Sequence, residues 1–516
     1  MGSRVSRHAT DPGREVRLAV ADLGSNTFRL VVFQYRPGGP FRLVDEIREV
    51  VRLTEGTTPG GPLADQAIKR ARRVARLFAG FCRESEVDEV VAVATSAVRD
   101  AANSDRVLAA LTGPDGLPAR IISGEEEARY GWLGAMNGTT LSDGIVAELG
   151  GGSIQVGRVE DRLLTQSASE PLGAVRMTEA FLPGPPATRD EIRALRRHCL
   201  DTFRTHHWMG DGDRLVAMGG SLRTLATMAQ KSSGDPLGEV HGYLLTRDAL
   251  GDLIDRMAAL PATERRRIPG LKVDRADIML AGAVVVDSLM HAAGVQHAEI
   301  CSQGLRWGVF WEQFLAPLNP PLVDDVRTTS VRNVAEVYGY DRPHAEHVAH
   351  LAVNVFDGLG RLGLHDSDPR EREWLHAAAI LHDVGTLVDY NDHHKHSHYL
   401  VLNAGLPGFR HREIVIIAQL VRAHRKTIQP PGNLGALLKD GDEARILRLA
   451  ACLRIAEQLE RGRARAVTGV ECAREGDLVT LRLTGEGDMG VAVWSAGQEA
   501  GVFRRAMGHR LEVVPA

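Results

Sequence analysis

A chain of 516 residues, 44% apolar and 5% aromatic, is long enough to bury several cores, and about three or four domains are expected from size alone. Its 62 basic and 66 acidic residues leave a formal net charge of -4, so composition offers no electrostatic case for sequence-independent nucleic-acid binding. Positive charge meant for a polyanion must therefore be local, and five scattered cysteines with no CxxC pair or zinc-like spacing read as reduced thiols of a cytoplasmic protein.

Residues 1–15 are expected to be disordered. The opening MGSRVS meets a loose myristoylation pattern, which we read as chance. The apolar segment from Val16 to Phe33 is broken by Asp22 and Arg29, so neither a signal peptide nor a membrane span is expected. VRLAVADL, a Gly-centred turn and TFRLVVF form a strand–turn–strand unit. Helical spacing follows from Ala67 to Phe81, then strand runs VDEVVAVAT and ARIIS, then the helix pattern GEEEARYGWLGAM from Gly124. At Gly144 the stretch GIVAELGGGSIQVGRV repeats the strand–turn–strand layout. PLNPP at 317–321 should end a helix and act as a linker. Residues 323–464 are helical in pattern and hold 12 of the 20 histidines, all between His344 and His424. From Ala466, the runs LVTLRL, VAVWSA and RLEVV read as strands of a small β-rich piece.

The turn Asp22-Leu23-Gly24-Ser25-Asn26 offers close backbone approach, N–H groups and hydroxyls for phosphate oxygens, and a carboxylate able to hold a cation or position water. Gly150-Gly151-Gly152-Ser153 offers the same chemistry from the second half of the repeat. Two such turns in matching contexts point to a phosphate clamp rather than to two ordinary hairpins.

Six ordered motifs carry a resemblance: VADLGSNTFRLVVF, ATSAVRDA, ISGEEEARYGW, ELGGGS, GGSLRTL, and PGLKVDRADIMLAGA with SQGLRWG. Together they resemble the exopolyphosphatase and guanosine pentaphosphate phosphohydrolase family of the actin-like superfamily. The resemblance implies two actin-like, ribonuclease H-like α/β lobes, 16–140 and 141–318, whose phosphate loops grip a chain end with Mg²⁺ in a cleft. It implies that Glu127, from the SGEEEA segment, helps water attack, with Glu148 sharing the chemistry and Asp22 and Glu148 holding the ion. Arg99 and Arg223 are expected beside the phosphates, together with Gly219, Gly220 and Ser221 of the GGSLRTL motif, since guanidinium groups bind phosphate bidentately. Two positions depart from the family pattern: Glu148 stands where aspartate is usual, and Gln155 where glutamate is usual. The first lengthens a carboxylate arm, and the second removes a charge and a hard-cation ligand.

Residues 323–464 resemble an all-α HD-type domain, followed by a β-rich piece at 465–516. That resemblance implies His347, His382, Asp383 and Glu457 as ligands of a second divalent metal, Glu457 replacing the usual aspartate. The expected function is exopolyphosphatase. Guanosine pentaphosphate 5′-phosphohydrolase and a non-hydrolytic polyphosphate or alarmone sensor are the alternatives, and an acceptor-dependent kinase is a weaker third. A homodimer without specific nucleic-acid or membrane partners, tied to the stringent response, completes the expectation.

Overall fold

The computed structural model describes residues 14–55, 57, 60–184, 186–210 and 214–516; most of the expected disordered N-terminus, with its MGSRVS, lies outside them. The chain divides into two compact units, Met1–Val326 and Arg327–Ala516.

The first unit is built on two mixed sheets. In sheet one, β1 (Val16–Leu23), β2 (Thr27–Tyr35), β3 (Phe41–Val50), β4 (Glu89–Ala94) and β5 (Ala119–Ile121) take the order β3-β2-β1-β4-β5. β1 pairs antiparallel with β2 and parallel with β4, so the hairpin feeds into a crossover sheet. Sheet two contains β6 (Gly144–Leu149), β7 (Ile154–Glu160), β8 (Leu163–Glu170), β9 (Leu215–Met218), β10 (Leu244–Thr246) and β11 (His297–Ile300). Its order, β10-β11-β9-β6-β7-β8, repeats the first sheet with one added edge strand. The duplicated strand–turn–strand pattern thus marks a duplicated fold, the two actin-like lobes. The first turn falls between β1 and β2 and the second between β6 and β7, both at strand ends, where α/β folds place their ligands.

β1 and β2 are apolar almost throughout because they are covered on both faces. One face packs under the amphipathic helix Asp65–Glu84, through Ile68, Ala71, Val74, Ala75 and Phe78. The other joins a core shared with the helices Gly124–Gly138 and Leu305–Phe314. There Phe33, Tyr35 and Phe41 meet Trp307, Phe310, Trp311 and Phe314, with Phe33 and Phe310 stacked at 4.4 Å. This aromatic cluster fixes the helix that carries Arg306. The same helix ends at Phe314, just before the proline-rich stretch.

In the second unit, the helices between Val326 and Leu459 pack around one core that also takes in Val467 and Val470 of β12 (Val467–Glu475), Val479 and Leu481 of β13 (Leu478–Gly485), and Val513 of β14 (Arg510–Pro515). LVTLRL and RLEVV are strands as expected. VAVWSA is not: Gly490–Gly497 is a helix. An apolar run of six residues has no decisive period, and here the segment places Ala492 and Ala496, four apart, into the core while Val491 and Trp494 face solvent.

Candidate active site

Both phosphate turns are held from behind by backbone bonds. Val51 and Arg52 donate their N–H groups to Asn26 O at 3.0 and 2.9 Å, and Leu53 donates to Ser25 O at 2.7 Å. The amides of Ala174 and Val175, opening the helix Ala174–Phe181, donate to Gly150 O and Gly151 O at 3.1 and 2.9 Å. A third turn precedes the helix Gly220–Ser233. Gly219 has φ +106°, and a Cβ there would lie 2.4 Å from Leu149 O, so only glycine fits. This brings a helix N-terminus to the same cavity, with amides and dipole disposed toward an anion.

That one cavity is lined by Asp22, Gly24, Ser25 and Asn26 from the first turn, Gly150, Gly151 and Ser153 from the second, Gly219, Gly220, Ser221 and Arg223 from the third, and both Glu127 and Glu148. Two expected phosphate residues sit elsewhere. Gly152 lies behind the wall, where a Cβ would meet Ser96 Oγ at 2.6 Å and Ser25 Oγ at 2.9 Å. Arg99 does not line the cavity but bonds Glu127 Oε2 at 2.9 Å and Ile122 O at 3.1 Å. It orients the carboxylate.

Glu127 is buried in the first turn of its helix. Burial pushes its pKa up to about 7 against the opposing Arg99 bond, with Asp22 adding to the rise. Glu148 is also pushed to about 7, by burial first and by Asp22 next. Asp22, with 26% of its side chain open, is raised as well, because desolvation by the cleft walls outweighs Arg306 and Arg29. The longer arm of Glu148 folds toward glycines: it accepts the Leu305 N–H at 3.0 Å, and a Cβ at Gly304 would stand 2.4 Å from its Oε1. Gln155, opposite Glu148 on the paired strand, uses its amide nitrogen to donate to Ser153 Oγ at 2.8 Å and Ser169 Oγ at 3.0 Å.

Sequence reasoning missed the cationic wall. Arg29, Arg275 and Arg306 line the cavity with Arg223. Burial lowers Arg29 to about 9, and Arg306, Arg223 and Arg275 lower it further. Burial likewise lowers Arg275 to about 10, with Arg48 and Arg223 contributing. These guanidinium groups repel one another, which an incoming polyanion would relieve. Each lies inside a quoted motif, and Arg29 in particular is a charge within an otherwise buried strand, the signal that could have found it.

The profile of the Ppx/GppA phosphatase family matches residues 31–316, and that of the family's domain III matches residues 326–488. The chain belongs to the Ppx/GppA phosphatase family. It is therefore a hydrolase of phosphoanhydride bonds. The chain is similar to a Ppx/GppA enzyme of Aquifex aeolicus, at 26% identity over 58% of this chain and 99% of that one, with a TM-score of 0.50. It also shares the fold of an exopolyphosphatase from Cytophaga hutchinsonii, at 21% identity over 58% and 97% of the two chains, with a TM-score of 0.53. Among the described residues no helix is long and apolar enough to cross a membrane.

In the family's domain III, His347, expected among the metal ligands, lies outside the inward-facing histidine cluster. His347 turns away, its Nε2 2.8 Å from Val467 O and 3.6 Å from Glu460. His344, one helical turn earlier, takes the inward place, 3.3 Å from Glu457 Oε2, beside His382 and Asp383. His393 and His424, not assigned from sequence, reach the same carboxylate of Asp383, at 3.0 and 3.7 Å.

Proposed function

We propose that the first unit is an exopolyphosphatase, releasing orthophosphate from the end of inorganic polyphosphate. The observation that carries this reading is the cavity lining: three facing phosphate turns, four arginines and three carboxylates, with no aromatic ring among the described lining residues on which a guanine could stack. A linear polyanion matches such a wall better than guanosine pentaphosphate does.

The donor set fits a hard divalent cation. Burial raises Asp22, Glu127 and Glu148, with Asp22 adding to the rise of both glutamates, so the three carboxylates gain from a bound cation, and oxygen ligands suit Mg²⁺. Asp22 and Glu148 would hold the ion, which when bound supplies charge neutralisation for the transferring phosphoryl group. The turn hydroxyls of Ser25, Ser153 and Ser221 and the guanidinium groups of Arg29 and Arg223 take the phosphate oxygens. Glu127, aimed by Arg99, orients water for in-line attack on the terminal phosphorus and accepts its proton. The water oxygen bonds to phosphorus, the bridging P–O bond breaks, and the shortened chain keeps the bridging oxygen. The histidine cluster of the second unit has the donors for a divalent ion of its own.

Phosphate release without any acceptor, on long polyphosphate and on guanosine pentaphosphate, tests this. Polyphosphate should be preferred at least about tenfold in kcat/KM, roughly 1.4 kcal/mol. A preference for the nucleotide refutes the substrate assignment, and tight polyphosphate binding with no release selects the sensor.

A further inference from the structure

Arg176, on the helix Ala174–Phe181 of the second lobe, reaches across to the first lobe, where its Nη2 donates to Asp100 Oδ2 at 3.0 Å. Asp100 directly follows the short helix Ser96–Arg99, and its other oxygen, Oδ1, lies 3.5 Å from Arg99 Nε. Arg99 Nη1 in turn donates to Glu127 Oε2 at 2.9 Å and to Ile122 O at 3.1 Å. Arg176, Asp100, Arg99 and Glu127 therefore form one chain of alternating charge that starts in the second lobe and ends on a carboxylate of the phosphate cavity.

The second-lobe end of this chain is fixed to a phosphate turn. The amides of Ala174, Val175 and Arg176 donate to Gly150 O, Gly151 O and Gly151 O at 3.1, 2.9 and 3.2 Å, which ties the backbone of Arg176 to the turn Gly150–Ser153. That turn seats closely on the first lobe: a Cβ on Gly151 would lie 3.3 Å from Ser25 Cβ, and one on Gly152 2.6 Å from Ser96 Oγ. At the other end Arg99 is held on two edges. Ile122 O and Glu127 share its Nη1, while Asp100 faces its Nε, and a planar guanidinium fixed at both edges cannot turn. Without the Asp100 carboxylate, or the Arg176 that holds it, Arg99 keeps the Nη1 contacts alone and its plane is free to swing. An isolated pair as exposed as Arg176 and Asp100, at 26% and 39% of their side chains, contributes little to stability. Its place in a chain that ends on Glu127 gives it another use.

We propose that Asp100 and Arg176 are positioning residues for hydrolysis, aiming Glu127 through Arg99 when the second-lobe phosphate turn is seated against the first lobe. The proposal rests on the role given above to Glu127 and deepens it, because alignment of the base becomes conditional on closure of the phosphate clamp. Neither Asp100 nor Arg176 lines the phosphate cavity, so their loss should spare substrate affinity.

The test follows steady-state phosphate release by the full chain on whichever of polyphosphate and guanosine pentaphosphate the wild type turns over faster, with Glu127→Gln as control. Asp100→Ala and Arg176→Met should each lower kcat about tenfold and change KM less than about twofold, since misplacing a reacting group from outside the site costs up to about 10² in rate. The double variant should be no slower than Asp100→Ala, because both changes break one link. Arg176→Lys, which keeps a cation opposite Asp100, should recover most of the loss. A wild-type kcat in either single variant, a KM rise that accounts for the loss, losses that multiply in the double variant, or an Arg176→Lys as slow as Arg176→Met overturns the relay. When Glu127→Gln is slow and the single variants are normal, the relay alone falls; when Glu127→Gln is as fast as wild type, the role of Glu127 falls with it. Circular dichroism checks folding, and should Asp100→Ala not fold, the comparison of Arg176→Met with Arg176→Lys decides.

Discussion

Replacing Glu127 by glutamine separates orientation from base strength. Arg99 bonds Glu127 Oε2 at 2.9 Å, and a glutamine carbonyl oxygen can accept that bond, so the side chain keeps its place. What disappears is a proton acceptor whose pKa, near 7, suits work at neutral pH. General-base loss is worth roughly 10²- to 10⁴-fold, or about 3–5 kcal/mol of barrier. Binding should not suffer, because Arg29, Arg223, Arg275 and Arg306 remain and one charge that repels the substrate is gone. Single-turnover phosphate release at saturating Mg²⁺, with polyphosphate binding followed by anisotropy, separates the two effects. A rate within tenfold of wild type, or an affinity loss as large as the rate loss, would refute the role given to Glu127.

Gln155→Glu adds a carboxylate directly across the strand pair from Glu148, so half-maximal phosphate release should need severalfold less Mg²⁺; superimposable Mg²⁺ curves would show that Gln155 serves only to hold Ser153 and Ser169. The raised carboxylates also set a pH dependence. Between the ordinary carboxylate range and about 7, Glu127 and Glu148 hold protons in the folded chain that the unfolded chain has lost, so metal-free stability falls as pH rises through that window. Melting in chelator at pH 5.5 and at pH 8 should show the drop and saturating Mg²⁺ should abolish it; a metal-free Tm that rises over that interval would contradict the shifts.

The clamp was legible because each of its turns is local: five or fewer consecutive residues set the backbone, and the repeat of the pattern announced the second lobe. Most of the cationic wall was not, since Arg29, Arg275 and Arg306 come from separate segments and join the expected Arg223 only after both sheets fold. Arg99 was placed beside the phosphates on chemistry alone, whereas the fold uses it one layer out, on Glu127. His344 and His347 show a finer limit. Three residues apart on one helix, they sit about 60° apart around its axis, and only the strand carrying Val467 decides which ring is captured by a carbonyl and which is left to face Glu457.

The cleft concentrates charge of both signs and pairs only part of it. Burial, with Asp22 adding to it, raises Glu127 and Glu148, while burial and then neighbouring guanidinium groups lower Arg29, Arg223 and Arg275, even though the two sets line one cavity. Arg99 pairs with Glu127 and Arg29 with Glu46, each at 2.9 Å, yet burial still holds Glu127 and Glu148 near 7. Between the four wall arginines and the three carboxylates, Arg306 and Asp22 form the ion pair, and at 3.6 Å it is long for a charge-assisted hydrogen bond. The fold therefore keeps an anionic floor and a cationic wall apart at an energetic cost, and a phosphate bound with a divalent cation is the species that satisfies both. Because each partner relieves a different half of that repulsion, cation and phosphate must strengthen each other's binding by the same factor, as thermodynamic linkage requires.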